Sequence, residues 1–282
     1  EITRRKNKSV FEEFFDDGVY LVNERSPGAA GTWNQGLQYI EEQYADAWIA
    51  ILDDDDEWAP DHLHSCLEVA DNADAVLSGI RTILDGEVIE ERVPTNVTMS
   101  DFFATNPGWQ GSNTFIRSNA IQKAGWFDEG LLCTHDRDLA IRCLSLDDFK
   151  IQYSERVTML YYLERKRNSL TMAQGKGKQT GLLQFYKKHR QKMKTSDEEA
   201  FFKRSTELFG LDEAYFKITN TALDTPGFPA LPTVNKPTST NRLRKTLHFM
   251  KKRWWKLRTR RSVTKLLGRQ FVRTRELIEI DL

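Results

Sequence analysis

The sequence predicts an α/β fold: a mixed sheet sandwiched by helices, with a C-terminal helical extension. Three observations carry the prediction. Residues 48–52, WIAIL, are apolar without alternation, as in a strand covered on both faces. Just before them, Trp33, Leu37, Ile40 and Tyr44 recur at helical spacing. Beyond them, strand and helix patterns alternate to about residue 172 around one inserted hairpin.

In chain order, residues 9–15 read as the end of a helix, Asp16-Asp17-Gly18 as a turn and 19–22 as a short strand. Arg25-Ser26-Pro27-Gly28 is a loop before the helix at 29–44. After strand 48–52, Pro60 opens a helix continued by Leu63, Leu67 and Ala70, since its missing N–H costs nothing in a first turn. Residues 75–84 and 87–93 form the hairpin, closed by Asp85-Gly86. Pro94, Pro107, Gly108 and Gly111 mark 94–112 as loop. A strand at 114–117, helices at 119–124 and 136–146, and strands at 150–153 and 157–162 complete the core. Helical segments follow to about 223, one with a capping box from Ser196 to Glu199. Four of the eight prolines fall in 224–241, which makes that stretch a stiff, extended linker. The expected domains are a core at 1–172, a helical extension at 173–223, the linker, and a basic amphipathic tail at 242–282.

Hydrophobic content of 39% and aromatic content of 11% suffice for a core and exclude a disordered chain. Net charge is zero but lopsided: residues 241–275 hold 14 Lys and Arg and no acid, leaving 27 basic against 41 acidic residues elsewhere. Such a tail meets something anionic. Leu243, Leu247, Met250, Trp254 and Leu257 share one helical face, and Trp254-Trp255 suits a membrane interface. The competing reading is a helix docked on the protein's own acidic body. Nucleic-acid binding ranks below both, because no nucleic-acid module accompanies the tail. Three cysteines without a C-x-x-C pair indicate neither a disulfide framework nor a zinc knuckle. No apolar run reaches transmembrane length and no signal-peptide pattern follows Glu1. The expected location is cytoplasmic and peripheral to a membrane.

Directly after WIAIL stand Asp53, Asp54, Asp55 and Asp56. Ligands of open α/β sheets bind beyond the carboxyl ends of strands, and oxygen-rich clusters suit hard cations such as Mn²⁺ or Mg²⁺. A cation would cancel the repulsion and leave room for phosphate oxygens. The plain alternative is a solvated loop capping the helix at Pro60. A phosphatase of the haloacid dehalogenase type also uses Asp-x-Asp after a strand, but Glu57 stands where it wants Thr or Val. His62 and His64, two apart, do not share a helix face and read as surface histidines. Gly175-Lys176-Gly177-Lys178 lacks the frame of a P-loop and reads as a flexible basic segment near anionic phosphate. Trp109, in a loop, either stacks on an acceptor sugar or packs beneath the loop.

Five stretches make the reading specific: GAAGTWNQGL at 28–37, ILDDDDEWAPD at 51–61, GSNTFIR at 111–117, GWFDE at 125–129 and HDRDL at 135–139. In this order they resemble the family 2 glycosyltransferases, whose fold is GT-A, a Rossmann-like mixed sheet; the resemblance runs from about residue 10 to 172. It implies inverting sugar transfer from a nucleotide-sugar donor to a hydroxyl of a saccharide or lipid-linked acceptor, in surface-glycan synthesis. It implies Asp53 and Asp55 as metal ligands for Mn²⁺ or Mg²⁺, with Asp53, Asp54 and Asn34 on the donor. Gly111, Ser112 and His135 would meet the acceptor, and Asp136 would be the catalytic base. Read alone, Asp136 is better taken as a simple helix N-cap than as a base.

Three departures stand out. The family's opening βαβ unit needs about 30 residues or more, and only about ten precede the first match, so the base-binding half of the donor pocket is expected to be missing. A donor-deficient remnant serving as a membrane-associated interaction module is therefore the alternative function. His135 stands where Glu is usual, beside the base, and Trp33 where Arg often precedes the Asn. Trp33 reads as a core aromatic.

Overall fold

The computed structural model describes residues 8, 11–13, 18–163 and 176–222. The chain divides into two compact units, Leu21–Asp224 and Glu1–Tyr20 with Thr225–Leu282. The linker and the basic tail lie outside the described residues. The architecture below is that of the unit Leu21–Asp224.

Helix α1 (Ala29–Gln43) leads into β1 (Trp48–Ala50). The short β2 (Glu57–Trp58) and helix α2 (His62–Leu67) follow, then the hairpin β3 (Ala75–Leu84) and β4 (Glu87–Arg92). Helix α3 (Met99–Ala104), a 3₁₀ turn at Gly111–Asn113, β5 (Thr114–Arg117) and α4 (Ser118–Lys123) come next. Helix α5 (His135–Cys143) precedes β6 (Ile151–Leu163), and α6 (Lys176–His189), α7 (Thr195–Phe209) and α8 (Glu213–Ala222) close the unit. The sheet is mixed, in the order β1-β5-β3-β6-β2, with β4 beside β3. Among the described residues only β3 and β6 run parallel.

β3 is the sheet's spine because almost every side chain it carries is apolar and buried. Its partner β6 is one strand, not the two expected from sequence. The ladder shifts register between Leu77–Tyr153 and Gly79–Val157, so β6 bulges without parting. Gly79 permits this: a Cβ there would stand 3.0 Å from Arg156 O and Val157 Cα. Glu155 takes φ 55° in the bulge.

Other expectations are corrected. Residues 18–24 form no strand. The strand expected at 48–52 ends at Ala50, and among the described residues β1 lies at the end of the sheet path, paired only with β5. Beyond Ala50 the chain leaves the sheet, with Leu52 exposed. The capping box of α7 lies two residues earlier than Ser196 and Glu199, at Lys194 and Asp197. Asp197 accepts from Lys194 N–H at 2.9 Å, while Glu198 accepts from Tyr186 O–H at 2.7 Å. Residues 176–178 are the first turn of α6 and no flexible segment. His62 is buried against Trp58, its Nδ1 2.8 Å from Thr158 Oγ1, and burial pulls its pKa down to about 4. His64 is exposed beside Glu68.

The last three helices share the main core. Phe185, Tyr186, Phe201, Phe202 and Phe216 stack on one another and join Phe102 and Phe103 of α3 in one cluster. Each such buried ring contributes roughly 2–3 kcal/mol. This cluster also fixes the back of α5, whose first turn faces the site. Among the described residues no helix is long and apolar enough to cross a membrane.

Candidate active site

The site forms where the chain leaves β1, beside the start of α5. The 3₁₀ turn at Gly111–Asn113 ties the two together. Ser112 Oγ donates to Asp56 Oδ2 at 2.6 Å and accepts from the Asp53 backbone N–H at 3.0 Å. Ser112 O in turn accepts from the Trp58 indole N–H at 2.5 Å. One residue earlier, the Gly111 N–H donates to the Asp136 carboxylate. Two adjacent residues thus hold the aspartate loop with one hand and the first turn of α5 with the other.

Carboxylates converge across this tie. Burial raises Asp136 to about 7, helped by the negative charges of Asp53 and Asp56 and opposed by the Gly111 hydrogen bond. Asp56 is raised to about 7 by burial, against the Ser112 hydrogen bond and with Asp53 and Asp55 pressing on it. Asp53 is raised to about 6 by burial and Asp55, against a hydrogen bond from Trp33. The Asp54 side chain is exposed and acts on Asp53 only weakly.

Trp33 packs against the core, as its spacing suggested, and is also part of the site's wall. Half-buried, it binds Asp53, packs 4.5 Å from Phe127 and meets His135 edge-on at 6.1 Å. His135 points its Nε2 to Leu131 O at 3.0 Å, and burial holds its pKa below the ordinary value. The groups that shift Asp136 are Asp53 and Asp56, not His135.

Two sequence expectations are overturned by burial. Trp109 is 1% exposed, between Phe102 and Phe149, so it presents no face to an acceptor sugar. Asn34 is also buried. Its amide donates to Phe127 O and Glu129 Oε1 at 2.9 and 2.8 Å and accepts from Phe127 N–H at 3.0 Å, which locks α1 onto the 125–130 turn and leaves no donor-binding group. Gly111 and Ser112 are likewise buried, so they act on an acceptor only through the carboxylates they position.

Behind Asp136, the same helix turns its next side chains inward. Arg137 donates to Phe102 O at 2.7 Å and to Phe103 O. Asp138 is fully buried and contacts His189 Nε2 at 2.8 Å, Arg142 Nη2 at 2.7 Å and Lys188 Nζ at 2.7 Å. Burial alone would raise its pKa, but these partners hold it far below the ordinary carboxylate range. Sequence reading missed Asp56, hidden in a run of four, and Tyr161 on β6. The phenol of Tyr161 is electrostatically coupled to Asp53, Asp55, Asp56 and Asp136.

A cleft of about 420 Å³ lies on another side, lined by Arg25, Trp126, Asp128, Glu129 and Lys188 among others. Its charges are matched: Arg25 with Glu129 at 2.6 Å and Lys188 with Asp128 at 2.5 Å. Chemistry favours the carboxylate cluster, where charge is left concentrated.

Hard oxygen donors under mutual repulsion fit a divalent cation such as Mn²⁺ or Mg²⁺. Among the described residues no three His, Cys, Asp or Glu side chains form a ready cage. Asp53 and the half-buried Asp55, the pair expected from sequence, would hold such an ion together with phosphate and water oxygens, with Asp56 buried beside them and tied to Ser112.

The family description "Glycosyl transferase family 2" matches residues 3–131. Among solved structures, the chain is similar to S. aureus TarS 1-349 in complex with UDP-GlcNAc. Identity there is 12% and the TM-score 0.50, over 74% of this chain and 62% of that one. The structure of S. aureus TarS 1-349 matches at 13% identity and a TM-score of 0.46, over 79% and 62%. The chain thus spans 62% of the length of these structures, and the first of them shows a shared fold. No curated protein matches the sequence.

Proposed function

We propose that this protein, whose residues 3–131 match the description of the family 2 glycosyltransferases and whose fold resembles that of TarS, moves a sugar from a nucleotide-diphosphate donor to a hydroxyl of a saccharide or lipid-linked acceptor, with inversion and with Mn²⁺ or Mg²⁺. The observation that carries this is the convergence of Asp53 and Asp56 on Asp136 across the Gly111-Ser112 tie. Asp136 is the base. With its pKa near 7 it is poised to take the proton of an acceptor hydroxyl at neutral pH. Gly111 N–H fixes its carboxylate, and Ser112 sets its distance from the aspartate loop. Trp33 orients Asp53 without adding a positive charge. A bound cation would supply charge neutralisation at the leaving diphosphate. The UDP-GlcNAc bound by the similar TarS structure makes that donor the first to try.

The basic tail at 242–275, outside the described residues, would hold the enzyme on an anionic membrane, with each Lys or Arg near the surface contributing about 1 kcal/mol. Synthesis of a surface glycan on a lipid-linked acceptor suits that position.

The test is release of nucleoside diphosphate from a panel of nucleotide sugars, with and without acceptor, in Mn²⁺, Mg²⁺ or EDTA. Metal-dependent turnover of one donor is expected. Absence of binding and turnover across the panel would sink the proposal and leave the interaction-module reading.

A further inference from the structure

Tyr161 is a hydrogen-bond donor placed among acceptors. The antiparallel β2–β6 ladder pairs Glu57 with Leu160 and Trp58 with Met159. One step further along that register, Tyr161 stands opposite Asp56. The parallel ladder on the other side sets it against Thr82. Its ring is half-buried, and its phenol is coupled to all of Asp56, Asp55, Asp136 and Asp53. Among the described residues its O–H makes no hydrogen bond. The next residue differs: Tyr162 O–H is committed to Glu57 at 3.0 Å.

We propose that the Tyr161 hydroxyl is a substrate contact, donating to a phosphate oxygen of a nucleoside diphosphate seated over the aspartate loop. This deepens the glycosyl-transfer reading and rests on it. A diphosphate carries only acceptors, and the loop beneath it carries carboxylates. Attraction must come from a cation and from neutral donors. The neighbouring donors are already used: Trp33 N–H by Asp53, Ser112 O–H by Asp56, Trp58 N–H by Ser112 O, and Gly111 N–H by Asp136. Of these side-chain donors among the described residues, Tyr161 O–H, opposite Asp56 in the ladder, is not consumed by the cluster. A tyrosine phenol, with an ordinary pKa of about 10, is protonated at neutral pH and so is a donor. A hydrogen bond to a charged acceptor changes affinity by roughly 10- to 100-fold.

Tyr161→Phe removes the O–H and keeps the ring. Titration calorimetry on the full chain with UDP, GDP and ADP, each with Mn²⁺, reads the effect. The wild type is expected to bind one of them, and the variant to bind it at least about tenfold more weakly. Affinity for Mn²⁺ alone and the melting temperature should be unchanged, which separates ligand contact from folding. Equal nucleotide affinity in variant and wild type overturns the role of Tyr161 while leaving the donor reading intact. No binding of any nucleotide by the wild type overturns the donor reading, and this contact with it.

Discussion

Asp136 and Asp138 sit two residues apart at the start of α5, yet their surroundings are opposite. Asp138 is enclosed by His189, Arg142 and Lys188, and these partners outweigh its burial and hold it ionised. Asp136 meets two further carboxylates and one backbone N–H, and it is raised to about 7. The first arrangement stabilises a fold. The second costs stability and is kept where chemistry needs a proton acceptor near neutral pH. Glu129 repeats the structural pattern: burial opposes it, but hydrogen bonds from Asn34, Ser26 and Arg25 bring it to about 2.

The comparison is open to attack at each end. Asp136→Asn should lower transfer by about 10²- to 10⁴-fold, the usual range for a positioned acid–base group. Its melting temperature should not fall, because a like charge has been removed from the cluster. Kinetics with a calorimetric melt would check both, and a marked loss of stability would put Asp136 in the same class as Asp138.

Asp138→Asn should do the reverse at first hand, destabilising by about 3–5 kcal/mol in denaturant titration, since its cations lose a buried partner. Activity at low temperature should fall much less than in Asp136→Asn. Ser112→Ala lies between the two. Loss of a hydrogen bond to an ionised group is worth about 1.5–3 kcal/mol, so catalysis should drop roughly 10- to 100-fold with a stability loss no greater than this.

The smallest effect is on pH dependence. Asp53, Asp56 and Asp136 have folded pKa values of about 6, 7 and 7, above the ordinary aspartate value of 3.8. The folded state then holds extra protons between about pH 4 and 7, and stability is lost as pH rises through that window. Asp138 and Glu129 act with the opposite sign, their contribution present above the ordinary carboxylate range and lost below it. Melting curves without metal should therefore show a falling temperature from pH 5 to 7.5, about 2–4 °C for each kcal/mol lost. Asp136→Asn should flatten that slope, and Mn²⁺ should flatten it further. A wild-type slope of the other sign would dissolve the distinction between the two regions.

Much of this was legible in the chain because it is local. WIAIL before four aspartates, the hairpin turn Asp85-Gly86 and the HDRDL helix start are patterns read within a few residues. What escaped depends on tertiary contacts that no local pattern shows. Asp56 could not be told from Asp55 until Ser112 reached it from 56 residues away. Asn34 looked like a ligand group and is consumed by Phe127 and Glu129, more than 90 residues on. Trp109 had the composition of an exposed loop around it, and only the packing of Phe102 and Phe149 put it inside. Trp33 packs against the core as expected, but its hydrogen bond to Asp53 was not legible, since helical spacing gives a face and not everything that face touches.

The Gly111-Ser112 tie has a consequence for anyone transplanting or redesigning this chemistry. The aspartate loop and Asp136 are 80 or more residues apart in the chain, but they are not separable modules. An insertion that lengthens the 94–110 loop is harmless only if the turn after it keeps its seat. A graft of DDDD onto another strand end, without that turn, would bring the charges and leave behind their aim.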